Sequence, residues 1–133
     1  MQLGEAVGTT VGVLSGVRPG ERVVATASAE LRDGEWVVNG AKQFITNSGS
    51  SITSLVTVTA RTGTREDGRA EVSTIIVPSD TPGFTAEKAY DKLGWHASDT
   101  HPLTFEDVRV PESNLLGEQG RGFAQFLATL DDG

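Results

Sequence analysis

Short alternating segments separated by tight-turn signals constrain the fold of this chain more than any other feature. Asp33-Gly34 and Asn39-Gly40 are strong hairpin signals, and Pro82-Gly83 closes a further segment. Between them, Val, Ile, Thr and aromatic residues recur at every second position, as in half-buried strands. The pattern predicts strands over 23–31, 36–38, 42–46, 55–61, 72–77, 84–88 and 102–110. Strands at such short intervals are typical of an all-β fold, here a small antiparallel β-barrel or sandwich.

The C-terminal end follows a different period. Phe123, Phe126, Leu127 and Leu130 have the i, i+3, i+4, i+7 spacing of one helix face, so we predict a short C-terminal helix. A helix of that length is not stable alone, and its apolar face needs a partner. We therefore expect residues 118–133 to begin a helical domain that is truncated here. Residues 23–117 form the β-domain, and residues 1–22, with a glycine at every fourth position from 4 to 20, are expected to be irregular or poorly ordered.

Charge and composition exclude several classes of function. The chain has 133 residues, which suits one domain, and a net charge of −7. That balance disfavours nucleic acid and anionic membrane surfaces as partners, because phosphate binding needs clustered Lys and Arg. There is no cysteine and there are only two histidines, so we predict no metal site. The sequence shows neither a signal peptide nor a transmembrane run, and we expect a cytoplasmic protein.

The residues alone say little about catalysis. Asp91, Asp99, Glu106 and Asp107 could be imagined as acids or bases, but nothing in the sequence places them in a cleft, and we interpret His96 as a packing or surface histidine. A cluster around Phe44 is more suggestive. Lys42, Thr46 and Asn47 lie close to that ring in sequence, at one strand end. A hydroxyl, an amide and an aromatic ring together are suited to binding a flat polar ring.

Four ordered motifs, followed by a helix start, resemble the middle β-domain of the acyl-CoA dehydrogenase family. The resemblance begins near Ala25 and covers about four-fifths of the chain. Asp33–Asn47 is similar to "dG-aromatic-x-x-N-G-x-K-x-[WF]-I-T-N", and Val72–Phe84 to an apolar strand followed by "D-x-P-G". Lys92–Thr100 is similar to "K-x-G-x-[RH]-x-S-x-T", and Phe105–Gly117 to "F-x-D-V-x-V-P-x-x-N-[LV]-[LI]-G". Each motif is weak alone, but their order and separation are specific.

The resemblance implies a fold and a cofactor. It implies a small β-barrel between two helical domains, in an FAD-dependent enzyme that oxidises the Cα–Cβ bond of an acyl-CoA thioester. In the family, the aromatic residue of "[WF]-I-T-N" lies along the flavin and the threonine hydroxyl bonds near N5. The matching cofactor-binding positions are Phe44, Ile45 and Thr46. Phenylalanine in place of tryptophan keeps a stacking surface but lacks the indole N–H.

The resemblance also implies substrate and protein partners. Arg69 falls near a family contact to CoA, and arginine suits a phosphate. Asp131, Asp132 and Gly133 match the start of a substrate-touching motif on the family's next helix. The implied partners are the acyl-CoA substrate, an electron-transfer flavoprotein or similar acceptor, and further copies of the full-length protein in a homo-oligomer.

Departures from the family pattern limit what this chain is expected to do. The flavin- and substrate-binding segment "T-E-x-x-x-G-S-D" is missing, and Leu14–Arg22 stands in its place. No residue can be named as the catalytic base, so we expect the chain alone to be inactive. Two alternatives remain open. One is a related acyl-CoA oxidase or flavin-dependent monooxygenase domain, and the other is a non-catalytic β-barrel binding module.

Overall fold

A computed structural model of the chain describes residues 2–7, 10–15 and 27–131. Their strands are Gln2–Val7 (β1), Thr10–Ser15 (β2), Ser28–Arg32 (β3), Glu35–Thr46 (β4), Leu55–Thr64 (β5), Ala70–Pro78 (β6), Phe84–Ala86 (β7), Thr100–Pro111 (β8) and Leu115–Leu116 (β9). A 3-10 turn, Glu112–Asn114, precedes β9, and the helix α1 spans Gly122–Asp131. The all-β class and the short C-terminal helix are therefore confirmed. In the described part of the chain, no helix is long and apolar enough to cross a membrane.

One large sheet forms the body of the molecule, with the strand order β7-β8-β4-β3-β5-β6-β9. Most neighbours are antiparallel, as predicted. The exception is the junction of β3 with β5, which pair in parallel at Ser28 and Arg61, so that the sheet is mixed. An Arg61 N–H to Ala27 O bond of 3.0 Å supports this junction.

The N-terminal segment differs from the expectation of irregular backbone over 1–22. Within it, β1 and β2 pair as an antiparallel two-stranded sheet of their own. The sequence explains the pairing, because Thr10, Val11 and Val13 are β-branched and favour strands. The register shifts between Leu3 and Ala6, around Gly4, which is how glycine is often accommodated inside a strand. The predicted strand residues 23–26 lie outside the described residues.

The two predicted hairpin turns have different outcomes. The Asp33-Gly34 turn is confirmed, with φ of 53° and 80° joining β3 to β4. The Asn39-Gly40 turn is wrong, because β4 runs without a break from Glu35 to Thr46. Gly40 has φ of 138° and lies so close to the chain that an added Cβ would be 2.6 Å from the Cα of Ala27. Glycine is therefore needed here for the close approach of β4 to Ala27, which directly precedes β3.

A β-bulge replaces the expected turn. Val38 pairs with Val108 and Gly40 with Phe105, so β8 carries an extra residue at this point. Asp107, with φ of 49°, donates its N–H to the Asn39 side-chain oxygen at 2.8 Å, and the Asn39 amide returns a bond of 3.0 Å to the Asp107 carboxylate. Glu106 and Asp107, two of the unplaced carboxylates, thus form a bulge in the middle of β8.

The core lies on the inward faces of these strands. Its largest fully buried side chains include those of Trp36, Phe105, Ile75 and Leu103. The Trp36 indole also donates to the Glu112 carbonyl at 3.2 Å, which satisfies its polar atom. The predicted helix is confirmed as α1, whose first residue, Gly122, is buried against the Ser73 backbone. The apolar stripe of α1 is largely exposed, with Phe123 61% and Leu130 60% accessible.

Candidate functional site

The C-terminal end of β4 departs from regular sheet geometry at the residues predicted to hold a flavin. Lys42 pairs with Leu103 and Ile45 with His101, so β4 has one residue more than β8 between these pairs. The extra residue forms a bulge at Gln43–Phe44, and Phe44 has a φ of 60°. A left-handed backbone costs a non-glycine residue about 1–2 kcal/mol, and it is enriched at binding and catalytic sites.

The sequence of β8 explains why the bulge forms there. Pro102 lies opposite it, between Leu103 and His101. Proline has no backbone N–H, so a widened strand separation leaves no donor unpaired at this point. The bulge therefore costs fewer hydrogen bonds here than at other positions along β8.

The bulge presents an aromatic surface to solvent. The Phe44 side chain is 70% exposed, although the ring stacks on Tyr90 with centroids 4.9 Å apart and an interplanar angle of 25°. Thr46, two residues further on, is also exposed. Ile45 is half-buried and packs against the core, so its side chain anchors the segment.

The bulge also corrects the expected grouping around Phe44. Lys42 and Ile45 line the same cleft, of about 300 Å³, between the sheet and α1, because the extra residue breaks the alternation between them. Thr57, Thr74 and Phe126 complete that cleft, among others. Burial lowers the pKa of the Lys42 ammonium group. Lys42 therefore lies in the cleft with Ile45 and does not join Phe44 and Thr46 on the exposed surface.

The loop that follows Thr46 is fixed by hydrogen bonds. Asn47, with φ of 57°, donates its N–H to the Asp99 carbonyl at 3.0 Å, and Gly49 N–H donates to the Asp99 carboxylate at 2.9 Å. The buried Ser48 hydroxyl donates back to the Ile45 carbonyl at 2.8 Å. Because these bonds reach both β4 and Asp99, which directly precedes β8, they hold the end of the Phe44–Thr46 segment in one position.

The predicted substrate residues are not gathered at this place. Arg69 is in the turn between β5 and β6, where its side chain is 84% exposed and approaches Asp67 at 3.7 Å. That turn is at the opposite end of the β5–β6 hairpin from Leu55, where the loop after Thr46 enters. Asp131 is exposed at the end of α1, and Asp132 and Gly133 lie outside the described residues.

Sequence reasoning missed three residues of this region. They are Tyr90, Asp99 and His101, which no motif or local pattern places beside Phe44. The Asp99-x-His101 spacing is the available signal, since alternate residues of an extended chain share a side. His96 is exposed. Among the described residues, no group of three acidic or histidine side chains could hold a metal ion.

Comparisons with known proteins agree with this fold. The family model for the acyl-CoA dehydrogenase middle domain matches residues 16–108. A probable acyl-CoA dehydrogenase of Bacillus subtilis is 45% identical over 131 residues, covering 96% of this chain and 34% of the relative. The structure of butyryl-CoA dehydrogenase from Megasphaera elsdenii superposes with a TM-score of 0.71 at 40% identity, covering 79% of this chain and 27% of that one.

A further solved structure is that of a relative in complex with FAD. It is an acyl-CoA dehydrogenase from Bacillus anthracis. The match covers 77% of this chain and 17% of the Bacillus anthracis chain, at 35% identity and a TM-score of 0.67. The fold thus defines the middle β-domain of a dehydrogenase class. This chain belongs to the acyl-CoA dehydrogenase family. It spans about a third of the length of the curated Bacillus subtilis relative and about a quarter of several others.

Proposed function

We propose that this chain supplies one side of a flavin site, and part of an acyl-CoA site, in an FAD-dependent acyl-CoA dehydrogenase. The observation that carries the proposal is the Phe44 bulge. A large aromatic ring is held 70% exposed in a left-handed backbone, which has little structural purpose unless something packs on it. The matching position in the family motif is the one that lies along the flavin.

The residues present suit a flavin. A flat ring system can stack on Phe44, while the exposed Thr46 hydroxyl can donate to or accept from its polar edge. Bound FAD would supply the redox chemistry of α,β-dehydrogenation. The chain's own contribution is placement: the Tyr90 stack sets the angle of Phe44, and the Ile45 side chain anchors the segment in the core.

The substrate assignment is a separate part of the proposal. Arg69 provides an exposed guanidinium for a CoA phosphate, and Asp131, Asp132 and Gly133 begin the substrate-touching helix motif. Arg69 lies at one end of the β5–β6 hairpin, and the loop that follows Phe44 and Thr46 enters the hairpin at its other end. The two sites are therefore far apart and suit an extended ligand. An electron-transfer flavoprotein, or a similar acceptor, and a homo-oligomer of the full-length protein belong to this proposal.

The test is a titration of the 133-residue chain with FAD, followed by flavin fluorescence and absorbance. We expect saturable quenching, weakened about threefold to tenfold in Phe44→Ala, because one aromatic stacking contact is worth about 0.5–1.5 kcal/mol. Thr46→Val removes one hydrogen bond and should weaken binding by a similar factor. Phe123→Ala is the matched control, since Phe123 is also a strongly exposed phenylalanine but lies on α1.

Two results would contradict the proposal. Equal FAD affinity in wild type, Phe44→Ala and Phe123→Ala would remove the bulge from the site. Absence of saturable binding up to about 1 mM FAD would mean that this chain forms no flavin half-site. We also propose that the chain has no turnover alone, because no residue in it can be named as the base. Reduction of bound flavin by an acyl-CoA would refute that part.

A further inference from the structure

His101 is at the centre of the contacts that hold the Phe44–Thr46 segment. It lies directly across the sheet from Ile45, and its side chain is only 12% exposed. One ring nitrogen, Nε2, is 2.6 Å from an Asp99 carboxylate oxygen, and the other, Nδ1, is 2.5 Å from the Glu87 carbonyl oxygen. The ring packs on Gly49, where an added Cβ would collide with it.

The hydrogen-bond partners of this ring favour its doubly protonated form. A backbone carbonyl only accepts hydrogen bonds, and so does an ionised carboxylate, so both ring nitrogens must donate. Neutral imidazole carries one N–H, whereas imidazolium carries two. The pKa of His101 is raised, first by the Glu87 carbonyl and then by Asp99. The pKa of Asp99 is lowered, first by the Gly49 N–H and then by His101.

The same ring connects three segments of the chain. Asp99 accepts the Gly49 and Asn47 N–H groups, which fixes the loop after Thr46. On the other side, the Glu87 carbonyl begins a segment that runs along β8, where Tyr90 N–H donates to the Thr100 carbonyl at 3.1 Å. Tyr90 then carries the stacked Phe44 ring. His101 thus joins the loop behind Phe44 to the segment beside it.

We propose that His101, as an imidazolium bonded to Asp99 and to the Glu87 carbonyl, is a positioning residue that holds the Phe44–Thr46 segment against Tyr90 for flavin binding. The purpose assigned to the segment rests on the proposed function. The mechanical coupling, from the His101 ring to the Phe44 ring, is a property of this chain whether or not a flavin is present.

The surroundings define how the coupling depends on pH. Asp99, which directly precedes β8, is the carboxylate that faces the ring, and the Glu87 carboxylate accepts from Thr104 at 2.9 Å. The Lys92 ammonium is bound to the Ser98 carbonyl and Thr100 hydroxyl, and the loop after Thr46 contributes backbone N–H groups.

The sign of the pH effect follows from the two shifts. The raised His101 pKa means that its stabilisation is complete below the unfolded value of about 6.5 and is lost as pH rises through the folded pKa. The lowered Asp99 pKa means that its stabilisation is present above about 3.9 and is lost as pH falls through the folded value. We therefore expect Phe44 to be held best at pH values above the folded pKa of Asp99 and below the folded pKa of His101.

The experiment is an NMR titration of the isotope-labelled 133-residue chain from about pH 5 to about pH 9, a window that brackets histidine titration. At the acidic end we expect both ring nitrogens of His101 to be protonated. Its midpoint should lie above the ordinary histidine value of about 6.5. The Gly49 amide shift and the Phe44–Tyr90 ring contact should change with the His101 midpoint.

Two variants sharpen the titration. His101→Gln cannot bond Asp99 and Glu87 as a cation, so the Phe44–Tyr90 contact should be weak at every pH and lose its titration. His96→Gln is the control, and its Phe44–Tyr90 contact should change with pH as in wild type. If the Phe44–Tyr90 contact does not change with pH at the His101 midpoint, or persists in His101→Gln, the proposal is wrong. If His101→Gln does not fold, the wild-type titration still decides.

Flavin titrations separate this inference from the proposed function. We expect wild-type FAD affinity to fall about fivefold across the His101 transition and to be nearly flat with pH in His101→Gln, the size of one partly exposed ion pair. Coupling without FAD binding would refute the flavin assignment and leave the positioning role of His101 standing. FAD binding without coupling would refute the positioning role alone.

Discussion

The two halves of β4 share one strand but have opposite surroundings. From Trp36 to Val38 the side chains are buried and the pairing with β8 is regular. From Gln43 to Thr46 most side chains are exposed, one residue has a left-handed backbone, and the register is shifted. Gly40 and the bulge opposite it separate these halves. The comparison teaches that the first half stabilises the domain, whereas the second half uses that stability to hold an exposed aromatic ring.

Trp36→Ala gives the largest expected effect. The ring is 2% exposed and its N–H is bonded, so its removal leaves a large cavity and an unpaired Glu112 carbonyl. We expect a loss of about 3–5 kcal/mol in the free energy of unfolding, measured by urea denaturation. Trp95→Ala is the control, because Trp95 is 87% exposed and should change stability by about 0.5 kcal/mol or less. Equal effects at the two tryptophans would contradict the assignment of the core half.

Gly40→Ala tests the boundary between the halves. The new methyl group would meet the Ala27 backbone, in a conformation that L-residues rarely adopt. We expect a loss of about 2–4 kcal/mol in the same measurement. Gly34→Ala provides the comparison, since Gly34 also has a positive φ but no atom near its added Cβ, and it should lose about 1 kcal/mol. If both variants lost the same stability, close approach at Gly40 would not be the cause.

Phe44→Ala has the smallest expected effect on stability. The Tyr90 stack is worth about 0.5–1.5 kcal/mol, but most of the ring is already in water, so we expect a loss of about 1 kcal/mol or less. Phe44→Gly relieves the positive φ as well, and its stability should be close to that of wild type. A loss above about 2 kcal/mol in either variant would place Phe44 in the core and weaken the case for a binding role.

Local patterns were sufficient for most of the fold. Alternation found the strands of the large sheet except the two-residue β9, and Asp33-Gly34 found its hairpin, because both depend on neighbours in sequence. Asn39-Gly40 failed for a reason outside the local sequence. The same dipeptide that makes a tight turn also suits a bulge, and the choice was made by Asp107, 68 residues away, and by the close approach of Ala27.

The candidate site divides in the same way. Phe44 and Thr46 were found through a motif, and the structure places both at the surface. Whether they bind a flavin stays a prediction. The Tyr90 stack and the His101 contacts could not be found, because they depend on a loop that returns along β8 after more than 40 residues. Asp132 and Gly133 remain predictions from the motif alone.

The extra residue at Gln43–Phe44 also determines which side of the sheet each later side chain faces. In a strand, successive side chains alternate between the two faces of the sheet. One inserted residue therefore reverses the face of every later side chain until the strand ends. With the bulge, Ile45 points into the core side while Thr46 is exposed. Deleting Gln43 would leave every candidate site residue after it in the sequence and exchange the directions of their side chains. The outward face of this segment is therefore encoded by a count of residues as much as by their chemistry.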